Sequence, residues 1–254
     1  MKRIDVNCDM GEIPAAIADG TQESLMRWIT SVNVACGGHA GDEHTMTTTV
    51  KQAQRWGLAV GAHPGYPDPL HFGRNEMNLP LAAVRAFVFE QVRALAQIAA
   101  RCEATLTHVK PHGALYNQAV HNGPLAEAIA AGVATWSRNV VMVGLAGSPM
   151  LDVFRAAGFA VAAEAFADRR YEANGTLRSR AFEDALIRDP VEAGRQALRM
   201  VQSGTVLAHG GAEVAVHADT ICIHGDTPGA RAIAETVSRT LRDARVSLRA
   251  LSRP

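Results

Sequence analysis

Apolar positions along this chain fall into two alternating patterns. Short runs rich in valine, isoleucine and alanine occupy residues 4–8, 32–36, 59–62, 107–110, 140–144, 160–165 and 220–224. Runs of that length and composition predict buried strands, and the longer stretches between them carry the apolar period of helices. The clearest helix spans residues 80–102, with Leu81, Val84, Phe87, Val88, Val92, Leu95 and Ile98 on one stripe. Strand and helix taking turns predict βα units around a parallel sheet. Prolines at Pro124, Pro149, Pro190 and Pro228 mark helix starts, where a missing amide hydrogen costs nothing, and Gly57, Gly158 and Gly204 mark helix ends.

One stretch breaks the alternation. In residues 205–217 two alternating runs flank His209-Gly210-Gly211 and predict a small β-hairpin inserted before the last strand, placed to cover a rim or meet a partner. No Pro-rich, Ser-rich or charged linker divides the chain, so residues 1–254 are expected to form one domain. Seven units suit an open sheet or a closed barrel. The barrel is the better fit, because glycine, histidine and aspartate gather at nearly every strand end, whereas an open sheet concentrates its site at one switch point.

Those strand ends carry the candidate chemistry. The segments NVACGGHAGD from Asn33, VGAHPGYPD from Val60, THVKPHGALYN from Thr107 and ICIHGDTPGA from Ile221 each break from an apolar run into glycine around a histidine: His39, His63, His112 and His224. Parity along the first strand puts Asp5, Asn7 and Asp9 on one face. Inward carboxylates at a barrel mouth can act as general bases or hold a cation. On the fourth strand His108, Lys110 and His112 share a parity, a cation beside an imidazole. Cys222 and His224 share one on the last. Asp168 and Arg169 follow the sixth strand, where an arginine can fork onto a carboxylate or phosphate. Asp226 stands where a helix start could bind an anion, unless it or Thr227 serves as the N-cap. His39 with Asp42, His63 with Asp68, and His112 or His224 offer the ligand types of a metal-dependent hydrolase, although no HxH or HExxH spacing enforces such a site.

Charge and cysteine usage narrow the partners. Lysine plus arginine equal aspartate plus glutamate at 25 each, so no field of one sign gathers nucleic acid or an anionic membrane. No uncharged apolar run reaches about 18 residues, and MKRIDVNCDMGE has no apolar core of a signal peptide. Cys8, Cys36, Cys102 and Cys222 show no CxxC spacing and read as packing residues of a reducing cytoplasm.

Taken together, NCDMGE, NVACGGHAGD, GAHPGYPD, THVKPHGALYN, GLAGS, FADRRY and ADTICIHGDTPGA resemble the LamB/YcsF family, in order, from residue 5 to about residue 230. The resemblance implies a distorted seven-stranded parallel β/α barrel related to glycoside hydrolase and deacetylase barrels. It also implies the A component of a bacterial ATP-dependent 5-oxoprolinase, which with subunits B and C converts 5-oxo-L-proline, ATP and water to L-glutamate, ADP and phosphate. In that setting Asp9 or His39 would activate water, and Lys110 with His112 would stabilise an oxyanion or departing phosphate. Asn7, His63, Asp168, Arg169, His224 and Asp226 would shape the substrate pocket, and a divalent metal stays open. The chain departs from the family pattern at Ile13-Pro14-Ala15-Ala16, at Asn75 and at residues 174–180, all in loops beside the expected site. Two other readings fit the same residues: a metal-dependent hydrolase of another lactam or a carbohydrate amide, and a non-catalytic scaffold that binds an intermediate.

Overall fold

Branched side chains pack well on a pleated surface covered from both sides, and each valine-rich run is extended in the structure. The computed structural model describes residues 2–227 and 229–252. Its first six strands are β1 (Arg3–Met10), β2 (Ser31–Ala35), β3 (Ala59–His63), β4 (Leu106–Val109), β5 (Val141–Leu145) and β6 (Ala160–Phe166). After the hairpin strands β7 (Thr205–Leu207) and β8 (Glu213–Ala215) comes β9 (Thr220–Ile223). Neighbours from β1 to β6 pair in parallel, and β9 closes the ring by pairing with both β6 and β1. The seven-stranded barrel expected from the sequence is thus the fold. A short strand β10 (Ser247–Leu248) adds to the start of β1 outside it.

Nine helices of the described residues link these strands: α1 (Pro14–Ala18), α2 (Thr21–Met26), α3 (Glu43–Arg55), α4 (Leu81–Arg101), α5 (Gly113–Ala119), α6 (Gly123–Trp136), α7 (Pro149–Ala156), α8 (Pro190–Ser203) and α9 (Ala230–Asp243). Asn122 caps α6 by accepting from the Leu125 amide, and prolines open α7 and α8. Pro228 lies outside the described residues. Gly229, in the left-handed region at φ 82°, precedes α9, so neither Asp226 nor Thr227 caps that helix. On α4, Val84, Val88, Val92, Leu95 and Ile98 are buried, and α6 packs alongside. Each such side chain contributes about 1.5–3 kcal/mol. Leu81 departs from the expected stripe: it sits on the first turn and is exposed. Among the described residues no helix is long and apolar enough to cross a membrane.

The hairpin pairs Thr205 with Ala215 through an antiparallel ladder, and the His209 amide donates to the Tyr171 carbonyl at 2.7 Å. It therefore braces the loop after β6, on the rim that carries the site. Within the barrel, register sets inward groups side by side: Asp5 beside Thr220, Asn7 beside Cys222, Asp9 beside Asn33. The intervening Ile4, Val6, Cys8 and Met10 face the helices and are buried there. Gly61 is a glycine because a Cβ there would lie 2.2 Å from the His108 ring.

Candidate active site

A hydrogen-bonded polar column fills the barrel. At its base Asp5 accepts from the hydroxyls of Thr30 at 2.6 Å, Ser31 at 2.8 Å and Thr220 at 2.5 Å, and burial pushes this carboxyl above its usual range. Asn7 donates to Thr220 at 2.7 Å and to Glu164 at 3.1 Å. Asn33 donates to Asn7 at 2.7 Å and to Asp9 at 2.8 Å, while the His108 ring contacts the Asn33 carbonyl at 2.8 Å. Burial, reinforced by Lys110, pushes His108 down to about 3, so its imidazole is neutral and donates to that carbonyl.

Lys110 stands at the top of the column. Its ammonium lies 2.8 Å from Glu164, 3.0 Å from Asp9, 3.1 Å from the Cys222 sulfur and 3.4 Å from the Asn7 side-chain oxygen, so its three donors are fully engaged. Burial works against the charge, yet Asp9, Cys222 and Glu164 hold Lys110 well above its usual range. Burial likewise works against Asp9, but the His63 ring and Lys110 hold it well below the usual carboxylate range. A carboxylate so stabilised is a poor proton acceptor by itself. Among the described residues one oxygen of Glu164 and the Tyr116 hydroxyl are buried without a hydrogen-bond partner. Burial, with Glu164 adding to it, raises the Tyr116 phenol well above its usual range.

Beside Lys110 three histidines close around Glu12, which the left-handed Gly11 (φ 77°) turns back toward the barrel axis. His39 contacts Glu12 at 2.9 Å and stacks on His112 with ring centres 3.5 Å apart and 8° between planes. Glycines make that stack fit: a Cβ on Gly65 would lie 2.7 Å from His39 Nδ1, and one on Gly73 2.7 Å from His39 Cβ. Gln91 of α4 holds Gly65 in place by donating to its carbonyl at 2.8 Å and accepting from its amide at 3.0 Å.

The ring tautomers follow from the carbonyls, which only accept. His63 Nδ1 donates to the Lys110 carbonyl at 2.7 Å, and His112 Nε2 donates to the Phe72 carbonyl at 2.8 Å. Their remaining nitrogens face each other at 3.0 Å, with Glu12 3.4 Å from His112 and 3.8 Å from His63. Two lone pairs and a carboxylate at that separation require a shared proton or a cation between them. Burial pushes His112 well below its usual value and also lowers His39. Against burial, Asp9 raises His63, which lies 3.4 Å away, so the extra proton belongs on His63. Glu12, His39, His63 and His112 each offer a donor atom, all within 4.8 Å of one another, a set that fits a divalent metal. Asp9, Cys222 and His224 form a second such set.

These groups floor a cavity of about 550 Å³. Of the ten residues singled out from the sequence, Asp9, His63, Lys110, His112, Arg169, His224 and Asp226 line it. Asn7, His39 and Asp168 are buried behind its wall. Asp168 orients His224, 2.9 Å from both its Nδ1 and its amide, and accepts from Thr227 at 3.2 Å. Burial opposes its charge, but His224 holds Asp168 below the usual range. The expected pairings of His39 with Asp42 and of His63 with Asp68 do not form. Asp42 is spent on a capping box with Thr45 at the start of α3, and Asp68 binds His71 on its own short turn. Glu12 supplies the carboxylate instead. Burial raises the thiols of Cys8 and Cys222 well above the usual range and pushes Cys36 up to about 12, which fits packing rather than nucleophilic roles.

Glu12 and Glu164 were not among the residues singled out. Glu164 had a visible signal, a lone charge within AVAAEAF.

A closed β/α barrel whose mouth gathers carboxylates, imidazoles and a buried ammonium has the build of an enzyme, and its relatives make it of the hydrolase type. The chain belongs to the LamB/YcsF family, whose sequence model matches residues 4–254. It is 47% identical over 249 residues to the A component of 5-oxoprolinase from Chloroflexus aggregans, covering 98% of this chain and 99% of that one. With the corresponding protein of Methylococcus capsulatus it shares 46% over 240 residues, 94% and 92% of the two chains. A crystal structure of a lactam utilization protein from Thermus thermophilus superposes with a TM-score of 0.91 at 42% identity, covering 98% and 99%.

Proposed function

We propose that this chain is the ring-opening component of an ATP-dependent 5-oxoprolinase. It would act in the cytoplasm as one barrel domain over residues 1–254, together with subunits B and C. The observation that carries this reading is the near full-length likeness to relatives that bear the name of the 5-oxoprolinase A component. The chemistry of the cavity agrees with it. A five-membered lactam is a resonance-stabilised amide, so water attacks its carbon only after the carbonyl oxygen has become a leaving group. The partners, using ATP, phosphorylate that oxygen; on this chain water adds to the activated carbon, the ring C–N bond breaks with a proton passing to the nitrogen, and a second water hydrolyses the resulting acyl phosphate to glutamate and phosphate.

His63 and Asp9 act as one proton-accepting unit toward water: in the form of His63 that carries only its Nδ1 proton, Nε2 takes the proton from water, and the carboxylate 3.4 Å away stabilises the imidazolium so formed. Lys110, held protonated by Asp9 and Glu164, faces the charge that develops on the oxygen leaving as phosphate. His112 lines the same floor and, neutral by burial, completes the polar contact. Glutamate formation from 5-oxoproline and ATP, measured with B and C present and with or without this chain, tests the reading. Turnover that needs all three is expected, and Asp9→Asn is expected to lower it at least a hundredfold. Normal turnover in the absence of this chain defeats the proposal.

The facing lone pairs of His63 and His112 favour a second reading, a metal-dependent hydrolase of another lactam or a carbohydrate amide. Glu12, His63 and His112 would hold the ion, with His39 supporting Glu12. A divalent metal there would polarise a carbonyl and make bound water more acidic. Elemental analysis of the purified protein separates the two readings: stoichiometric metal that activity requires, lost in His112→Ala, selects the second.

A further inference from the structure

Above its floor the cavity changes character. Arg169 and Arg180, from the loop after β6, and Arg74, from the loop after β3, line its outer part. Asp226 is the carboxylate that serves two of them: it pairs with Arg74 in a short contact and lies 3.6 Å from Arg180. Asp168, the carboxylate whose field reaches Arg169, commits its oxygens to His224 and Thr227. Arg169 is only 6% exposed. One of its terminal nitrogens donates to the Arg178 carbonyl at 2.7 Å, but its Nε is buried with no partner among the described residues.

Asp226 pairs only with Arg74 and Arg180, so among the described residues Arg169 has no carboxylate in ion-pair contact and its charge is in excess, and burial together with Arg180 brings Arg169 down to about 10. A buried N–H with nothing to donate to is costly, so such a group points to a ligand. None of the steps proposed above uses these arginines. Guanidinium forks match the oxygens of a phosphate, and a dianion balances the excess better than a carboxylate does.

We propose that Arg74, Arg169 and Arg180 form a phosphoryl subsite in which the phosphate of an activated lactam replaces Asp226 as the counter-anion of Arg74 and Arg180 and supplies the one that Arg169 lacks. The proposal rests on the 5-oxoprolinase reading and adds how the activated intermediate is gripped while water attacks at the floor. Asp226 then acts as a resident anion that keeps Arg74 and Arg180 together when no phosphate is bound.

Calorimetric titration of the full chain with inorganic phosphate, at constant ionic strength, tests this. Arg169→Gln and Arg180→Gln are each expected to weaken phosphate binding about tenfold, the equivalent of one charge-assisted hydrogen bond. Asp226→Asn is expected to tighten it. Acetate is expected to bind at least tenfold more weakly than phosphate, and ATP no more tightly. Arg180 is partly exposed, so its variant is informative even where Arg169→Gln fails to fold. Unchanged phosphate affinity in Arg180→Gln, or weaker binding in Asp226→Asn, overturns the proposal; arginine-dependent binding of ATP tighter than phosphate overturns the assignment to a lactam. Oxoproline turnover by the reconstituted complex is scored separately. Turnover without arginine-dependent phosphate binding removes the subsite alone, and arginine-dependent phosphate binding without turnover removes the lactam reading alone.

Discussion

Lys110→Met takes the cation out from between Asp9 and Glu164 while keeping a side chain of similar length. In the native site the ammonium lies 2.8 Å from Glu164 and 3.0 Å from Asp9, and all three are buried. Two unit charges about 3 Å apart attract by about 5 kcal/mol at an effective dielectric near 20, offset by the desolvation of the ammonium. Removing one partner of a buried ion pair costs about 3–5 kcal/mol, because the other charge is stranded. The variant is therefore expected to lose about 3–5 kcal/mol of unfolding free energy at pH 7.5.

The pH dependence carries the sharper test. In the wild type Asp9 is held well below the usual range, so its contribution is complete above the unfolded carboxylate value and is lost only as the pH falls below it. Between pH 7.5 and 5.5 it adds no slope. In the variant the stranded Asp9 carboxylate binds a proton in the folded state that the unfolded chain does not yet bind, whereas His63, raised in the native fold as well, adds a slope common to both proteins. Stability then rises as the pH falls, by about 1.4 kcal/mol per pH unit for one proton. Urea unfolding at pH 7.5, 6.5 and 5.5 should show the gap between the two proteins narrowing by about 2–3 kcal/mol. A gap that stays constant across that range, or one below about 1 kcal/mol throughout, refutes the claim that Lys110 helps hold Asp9 ionised.

Three further outcomes are expected. Gly73→Ala meets both a left-handed φ of 62° and a Cβ 2.7 Å from His39, so it should cost about 2–4 kcal/mol in chemical denaturation; a neutral result would mean the ring stack yields freely. Gln91→Leu keeps the volume but frees both backbone groups of Gly65, and a loss of about 2 kcal/mol with a lower kcat at unchanged helix content is expected; equal stability would show the clamp to be idle. His108 titrates near 3 in the fold against 6.5 unfolded, so its contribution is complete above pH 6.5 and is lost as the pH falls toward 3. His108→Gln should accordingly flatten the acid limb of a stability-against-pH curve by about 1.4 kcal/mol per pH unit between pH 6 and 4, and parallel limbs would contradict the assignment.

The barrel was legible because its strands are valine-rich runs whose ends change abruptly to glycine, and local composition alone signals that change. Parity was enough for Asn7, Asp9, Lys110 and His224, since a strand's alternation is set by the backbone. It failed for Glu12, which lies past the strand and is returned to the site by the left-handed Gly11. Asp42 and Asp68 misled for the opposite reason: each has a stronger local use, as a helix cap or a turn anchor, than any distant histidine offers. His39 was singled out by its glycine-rich surroundings, and those glycines prove to make room for its ring. No local signal distinguishes a residue that touches the cavity from one that backs it.

The polar column beneath the cavity bears on how this barrel can be changed. Many barrels fill their interior with branched apolar side chains that tolerate exchange; here Asp5, Asn7, Asn33, His108 and Glu164 occupy that space, with Asn33 bonded to Asn7 and His108, Asn7 to Glu164, and Asp5 joined to Asn7 through Thr220. Stability and chemistry are drawn from one set of side chains, so a thermostable variant has to be sought in the outer helices. The three arginines belong to loops and not to the column. Retuning which acyl compound the enzyme accepts is accordingly a problem of grafting two loops, and the interior can be inherited unaltered.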